Sequence, residues 1–242
     1  VLFFGVSFLL KYANDHSLLP VEYRMAGAGT LGLVLLGLGW KLRDSKRLYA
    51  LLVQGGGIGV LYLTVFAAAR FFGLLPVLAA FCILVAIVVF STILSILQDA
   101  VMLALFGFAG GFLAPVLLST GQGSHVHLFA YYALLNVGVL GVAWFRTWRV
   151  LNLLGFVFTF GIGAAWGANF YKPEFFATVE PFLVLYFLMY AGISILFARA
   201  NQMGSRIRLD SALVFGLPLV TFGLQSALVR ELEMGAAYSS LA

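Results

Sequence analysis

The chain has 242 residues, of which 63% are hydrophobic and only 10% charged, and it carries a formal net charge of +5. A soluble domain is about 45–50% apolar and about 25% charged, so this composition excludes an ordinary water-soluble fold and makes lipid the solvent for most of the surface. The excess cations form no basic stripe interleaved with aromatics, which sets nucleic acid aside and points to phospholipid headgroups as their partners.

A membrane-crossing helix takes roughly 20 mostly apolar residues. In chain order that rule predicts a partial span at Val1–Ala13, then spans at Val21–Trp40, Leu48–Ala69, Leu75–Leu97 and Ala100–Leu118. Further spans follow at His127–Phe145, Val150–Phe170, Thr178–Ala198 and Ser211–Val229. The fold class is therefore all-α, a polytopic helical bundle forming one transmembrane domain over residues 1–242. Val1–Ala13 reads as the second half of a span and Met234–Ala242 as the start of another, so the chain is expected to be a piece of a longer protein. Cys82 is the sole cysteine and lies in an apolar run, where it reports nothing about redox compartment.

Loop charges set an orientation. Lys41, Arg43, Lys46 and Arg47, then Arg146 and Arg149, then Arg199, Arg206 and Arg208 fall in alternate loops, and the opposite loops hold fewer cations. The positive-inside rule makes the first set cytoplasmic. The turn at Gln98–Asp99 belongs to that set but has no basic residue. The Gly121–His127 and Tyr171–Phe176 loops then face outward.

Four outward-running spans carry glycine in their middles, from Gly55–Gly59 through Gly107–Gly111 and Gly161–Gly167 to Gly216 and Gly223. Their starts lie about 50–60 residues apart, the pattern that a repeated helical hairpin produces. Phe106–Tyr132 stands at the centre. Gly107, Gly111 and Pro115 are spaced by four, on one helical face, and such a bare face lets a second backbone approach in lipid. Pro115 removes an intrahelical hydrogen bond near the helix exit.

Polar residues inside spans are few. Gln54 precedes the glycine cluster that contains Gly55 and Gly59, and Asn136 and Gln225 lie within later spans. Each is either the wall of a polar pocket or one half of an interhelical hydrogen bond; the second reading needs fewer assumptions, because a buried amide in lipid must find a partner. His125 and His127 form an outer-loop H-x-H, which on a strand presents two imidazoles to a metal. Their Gly-rich flanks contain no carboxylate or Cys and favour a headgroup-contacting loop instead. Glu180, ahead of Pro181, suits a helix N-terminus. No ionisable group is placed deep in any span, and no phosphate-binding loop, zinc motif or nucleophile elbow occurs, so neither a metal site nor a cofactor is expected.

The segments Tyr49–Ala68, Gly110–Arg146 and Trp148–Gly167, with the opening Phe8–Arg24, resemble the bacterial membrane-protein family catalogued as domain of unknown function 2339. The resemblance weakens after Arg199. It implies a longer parent chain with many more spans in the bacterial inner membrane, and it brings no activity, substrate or catalytic residue. Three functions are compatible with the residues. One is transport or handling of a neutral, lipid-like molecule beside glycine-faced helices, with Gln54, Asn136 and the Ser119–His127 mouth in contact with it. Another is a non-catalytic scaffold or accessory subunit that packs against other membrane proteins. The third is a membrane-embedded group transferase with His125 or His127 as base.

Overall fold

The computed structural model of the chain describes residues 20–118, 124–146, 148–200 and 210–241, with backbone alone for 197–200, 210–213 and 231–241. The expected partial span at Val1–Ala13 lies outside the described residues. The elements are α1 (Val21–Leu42), α2 (Arg47–Arg70), α3 (Val77–Gln98), α4 (Val101–Leu118), α5 (His125–Phe145) and α6 (Arg149–Phe170). A 3-10 turn at Pro173–Phe175 leads into α7 (Phe176–Ala200), and α8 is Asp210–Leu241. No strand occurs among the described residues.

Among the described residues seven helices, α1 to α7, are long and apolar enough to cross a membrane. The apolar part of α8, Val214–Arg230, is shorter. Met234–Leu241 continues α8 rather than opening a separate helix. The helices group into two compact units, residues 1–121 and 122–242. No change of hydropathy marks that boundary, which is why the sequence reads as one domain.

In the first unit α1 and α2 form an antiparallel hairpin that is close because glycines face each other. A Cβ on Gly57 would stand 2.8 Å from the Gly32 carbonyl oxygen, and one on Gly32 would stand 3.2 Å from that of Gly57. Further along the same seam a Cβ on Gly39 would overlap the stem of Gln54 and stand 2.8 Å from the Ala50 carbonyl oxygen. Without side chains in between, two backbones gain dispersion contacts that lipid cannot supply.

The turn from α3 to α4 is closed by Asp99 in the left-handed region, with φ of 50°. Ala100 N–H donates to the Ser95 carbonyl at 2.9 Å and Asp99 N–H to that of Ile96 at 3.4 Å, the two bonds of a Schellman ending. Arg47, from the first turn of α2, donates to the carbonyls of Gln98 at 3.0 Å and Asp99 at 3.2 Å. The turn that lacks a basic residue of its own thus receives one from the neighbouring basic loop. At the other end of this unit Gly73, with φ of +60°, lets the chain reverse between α2 and α3.

Gly107 and Gly110 of α4 are packing positions. A Cβ on Gly107 would overlap the Ser91 hydroxyl of α3, and one on Gly110 would stand 2.6 Å from the Tyr62 ring of α2. The Tyr62 hydroxyl donates to the Gly107 carbonyl at 2.6 Å, so the same residues join three helices. Gly111 and Pro115 are buried in the last turns of α4 that are described.

The second unit is built differently. Here α5 packs chiefly against α7, across one intervening helix in the chain, instead of against its hairpin neighbour α6. Two tyrosines of α7 account for that choice. Tyr186 donates to the Phe129 carbonyl at 2.7 Å, and Tyr190 to Asn136 Oδ1 at 2.7 Å. Both hydroxyls are deep in the helical bundle, where only a protein partner can replace water. Gly155 of α6 supplies the space, since a Cβ there would stand 2.6 Å from the Tyr190 hydroxyl.

Candidate functional site

The sequence of α6 tapers. Its first half is bulky, with Leu151, Phe156 and Phe160, and its second half is small, with Gly161, Gly163, Ala164, Ala165, Gly167 and Ala168. Bulky residues fill the space between neighbouring helices and small ones leave it open. Opposite the small half, the second unit contains a cavity of about 480 Å³.

Four helices wall it. From α6 come Gly163, Ala164, Gly167 and Ala168, with Thr159 and Phe160 beneath them and Trp166 and Tyr171 toward the helix end. Val179, Phe182, Leu183 and Tyr186 line it from one face of α7, at the spacing of successive turns. Leu224, Ala227 and Leu228 come from α8, and Phe129 from α5. A Cβ on Gly163 or Gly167 would meet nothing within 4 Å, in contrast to Gly107, Gly110 and Gly155. From Thr159 to Tyr171 the cavity follows α6 for roughly 18 Å at the α-helical rise, close to the ~15 Å half-thickness of a bilayer's hydrocarbon core.

Among the described residues no Asp, Glu, Lys, Arg or His lines the cavity. The hydroxyls that reach it are already engaged. Thr159 exchanges hydrogen bonds with Asn136, accepting from Nδ2 at 2.9 Å and donating to Oδ1 at 3.1 Å. Tyr190 donates to the same Oδ1, so the buried Asn136–Thr159–Tyr190 cluster closes on itself. The Tyr186 hydroxyl goes to Phe129, and that of Tyr171 reaches the Leu228 carbonyl at 3.4 Å. What remains for an occupant is an apolar, partly aromatic wall.

An aromatic cluster sits over one end. The His125 ring lies 4.4 Å from that of Phe175 and 5.4 Å from that of Trp166, and Trp166 meets Phe129 edge-on at 5.1 Å. His125 Nε2 is 2.8 Å from the Thr178 hydroxyl, whose single proton is donated to the Phe175 carbonyl at 2.9 Å. The contact between His125 Nε2 and Thr178 ties α5 to α7 at the rim.

The residues singled out in the sequence separate into distinct places. Gln54 is fully buried in the first unit and accepts from Gln98 Nε2 at 2.9 Å, while its own Nε2 has no partner. Gly55 faces the Phe106 ring, at 3.6 Å for an added Cβ, and Gly59 is half-buried. Gly107, Gly111 and Pro115 serve packing within α4. Asn136 belongs to the cluster behind the cavity. Gln225 donates to Glu180 at 3.0 Å, joining α8 to α7.

His125 and His127 are the first-turn residues of α5, capped by the Ser124 hydroxyl accepting from Val126 N–H at 3.3 Å, rather than members of a loop. Residues two apart on a helix point to different sides, so the pair does not converge on one ion. His125 joins the aromatic rim and His127 is exposed. Among the described residues no three His, Cys, Asp or Glu side chains gather as metal ligands. Gly163, Gly167, Trp166 and Tyr186 were not singled out as site residues; the signal for the α6 glycines was the change within that helix from large to small side chains, and Tyr186 on α7 left none.

The fold and cavity define the class, a multi-pass helical membrane protein with a cavity in its second unit whose described lining is largely apolar and aromatic. The family described as "Predicted membrane protein (DUF2339)" matches residues 1–242, and the chain belongs to that family. No curated protein and no solved structure matches it.

Proposed function

We propose that this protein binds and handles an uncharged, lipid-like molecule in the cavity of its second unit, in a bacterial inner membrane. The observation that carries the reading is the open glycine wall: Gly163 and Gly167 face unfilled space beside Phe129, Phe160 and Trp166, with no charged side chain among the described lining residues. Left empty and closed, a void of this size would cost on the order of 10 kcal/mol at the rate measured for apolar cavities. That approaches the whole stability of a typical domain. In a bilayer the available filler is hydrocarbon, and the volume falls in the usual range of about 300–1,000 Å³ for small-molecule sites. The basic loops around Lys41–Arg47 and Arg146–Arg149 face the cytoplasm in this reading, and the His125 rim faces out.

A structural role for the first unit rests on a separate observation. Gly32, Gly39 and Gly57 on the α1–α2 seam are closed by facing backbone and side chains, and Gly107 and Gly110 by Ser91 and Tyr62, so these five hold helices together. That unit acts as the scaffold, and the exposed α8 stripe of Phe215, Leu219 and Phe222 is available to lipid or to another membrane subunit. A transferase acting through His125 or His127 has no comparable support.

The test uses Trp166, which lines the cavity. With Trp40, Trp144 and Trp148 replaced by Phe, a brominated long-chain alcohol in phosphatidylcholine vesicles is expected to quench Trp166 saturably. Gly163→Leu, which fills the cavity, should remove the saturable part. Quenching that is linear in probe and indifferent to Gly163→Leu would reject the reading.

A further inference from the structure

We infer that the cavity takes a single hydrocarbon chain of a membrane amphiphile and is loaded sideways from the bilayer, through the seam between α6 and α8 at Ala168 and Ala227. This rests on the reading above and adds its occupant and its route.

The route follows from which walls are closed. Between α5 and α6 stands the edge-on pair Phe129–Trp166, with ring centroids 5.1 Å apart. Phe129 and Phe182 rings lie 5.7 Å apart between α5 and α7. The 3.0 Å bond from Gln225 to Glu180 ties α7 to α8. The rim is covered by His125 against Phe175 and Trp166, and the base is closed by Phe160 and the self-contained Asn136–Thr159–Tyr190 cluster. On the remaining side the lining residues are Ala168 and Ala227, and both are exposed at the protein surface. Neither has a side chain able to bar the way. Across the end of this seam runs one strap, the 3.4 Å contact of the Tyr171 hydroxyl with the Leu228 carbonyl.

The occupant follows from size and chemistry. The cavity of about 480 Å³ lies within the range of small-molecule sites, and its run along α6 beside a single seam suits one acyl or isoprenoid chain. Since the Thr159, Tyr171 and Tyr186 hydroxyls are paired within the protein, the interior offers little to a charged or multiply hydrogen-bonding headgroup. The headgroup stays at the rim, where Trp166 and Tyr171 form the aromatic edge expected at a membrane interface.

The test straps the seam without filling the cavity. Ala168→Cys/Ala227→Cys is made in a Cys82→Ser background and bridged with a reducible bifunctional thiol reagent, the bridge being verified by mass. Vesicles of phosphatidylcholine supply a long-chain alcohol with a terminal photoreactive diazirine, and, in a parallel arm, a two-chain phospholipid bearing the same diazirine on one chain. The unbridged protein is expected to be labelled on α6 and α7 in both arms, with one probe per protein. Bridging should reduce labelling to the level of Gly163→Leu, and reduction of the bridge should restore it. If the bridge does not form, Ala227→Trp takes its place, with Ala130→Trp on an exposed face of α5 as control. Labelling that survives the closed seam but is lost in Gly163→Leu would overturn the route and keep the cavity. Labelling unaffected by either, or seen only with the alcohol and at more than one probe per protein, would overturn the single-chain occupant and the cavity reading together.

Discussion

Two glycines of similar sequence context do opposite things. Gly107 is filled from outside by Ser91, so any side chain there must displace α3. Overpacking of this kind costs typically about 1–3 kcal/mol, and Gly107→Leu should lower the melting temperature in detergent. Gly107→Ala should be partly rescued by Ser91→Gly, since the two residues share one volume. Gly163 has nothing within 4 Å of an added Cβ, and Gly163→Leu should leave the melting temperature unchanged or raise it. A melt of the four variants checks this; equal losses at both glycines would contradict the assignment.

The buried amides differ in the same way. Asn136 serves both Thr159 and Tyr190, so Asn136→Leu strands two buried hydroxyls and should cost about 2–4 kcal/mol. Gln54 already has an unpaired Nε2, and its bond to Gln98 is shared with the Leu94 carbonyl, which Gln98 Nε2 reaches at 3.3 Å. Gln54→Met should therefore change stability by less than about 1 kcal/mol. Thermal unfolding in detergent distinguishes the two, and a larger loss for Gln54→Met would show that its free amide proton has an undetected role. Both amides were legible in the sequence as interhelical bonds. Their partners were not, because hydroxyl and amide partners on other helices leave no periodic trace.

At the scale of elements, spans were easy to read because lipid demands long apolar runs. Val77–Gln98 agrees with the expected Leu75–Leu97 to within its ends, as does Arg149–Phe170 with Val150–Phe170. The capped start of α5 was harder: Ser124 and the two histidines are polar and Gly-flanked, so they resembled loop until the Ser124 cap placed them on the helix. Arg47 provides an element-scale test. Its bonds to Gln98 and Asp99 join the α1–α2 loop to the α3–α4 turn at one end of the first unit. Cysteine labelling in a Cys82-free protein should reach Ser124→Cys from outside and Ser45→Cys only after permeabilisation. The reverse would invert the orientation. Arg47→Ala should loosen the α3–α4 turn, seen as faster amide exchange at Asp99 and Ala100.

At the scale of the whole molecule, the first unit holds close glycine hairpins and the second an open cavity, although both are drawn from the same alphabet of Gly, Leu, Val and Phe. A repeated hairpin was the natural inference from the glycine spacing. It pairs each outward-running span with the one after it, α6 with α7 in the second unit, but there α7 packs chiefly against α5 and α8, and its tyrosines hold α5. Spacing records where small residues fall and is silent about whether a neighbour fills them. That is why Gly107–Gly111 drew attention as the centre while the cavity lies at Gly163–Gly167. The most direct test of a lipid-binding second unit is native mass spectrometry of the purified protein beside Gly163→Leu, Gly167→Leu and, as control, the exposed Gly161→Leu, which lies outside the cavity lining. One bound lipid-sized adduct is expected on the wild-type and Gly161→Leu proteins and none on the two cavity-filling variants. Equal adducts on all four, or none on any, would contradict the account.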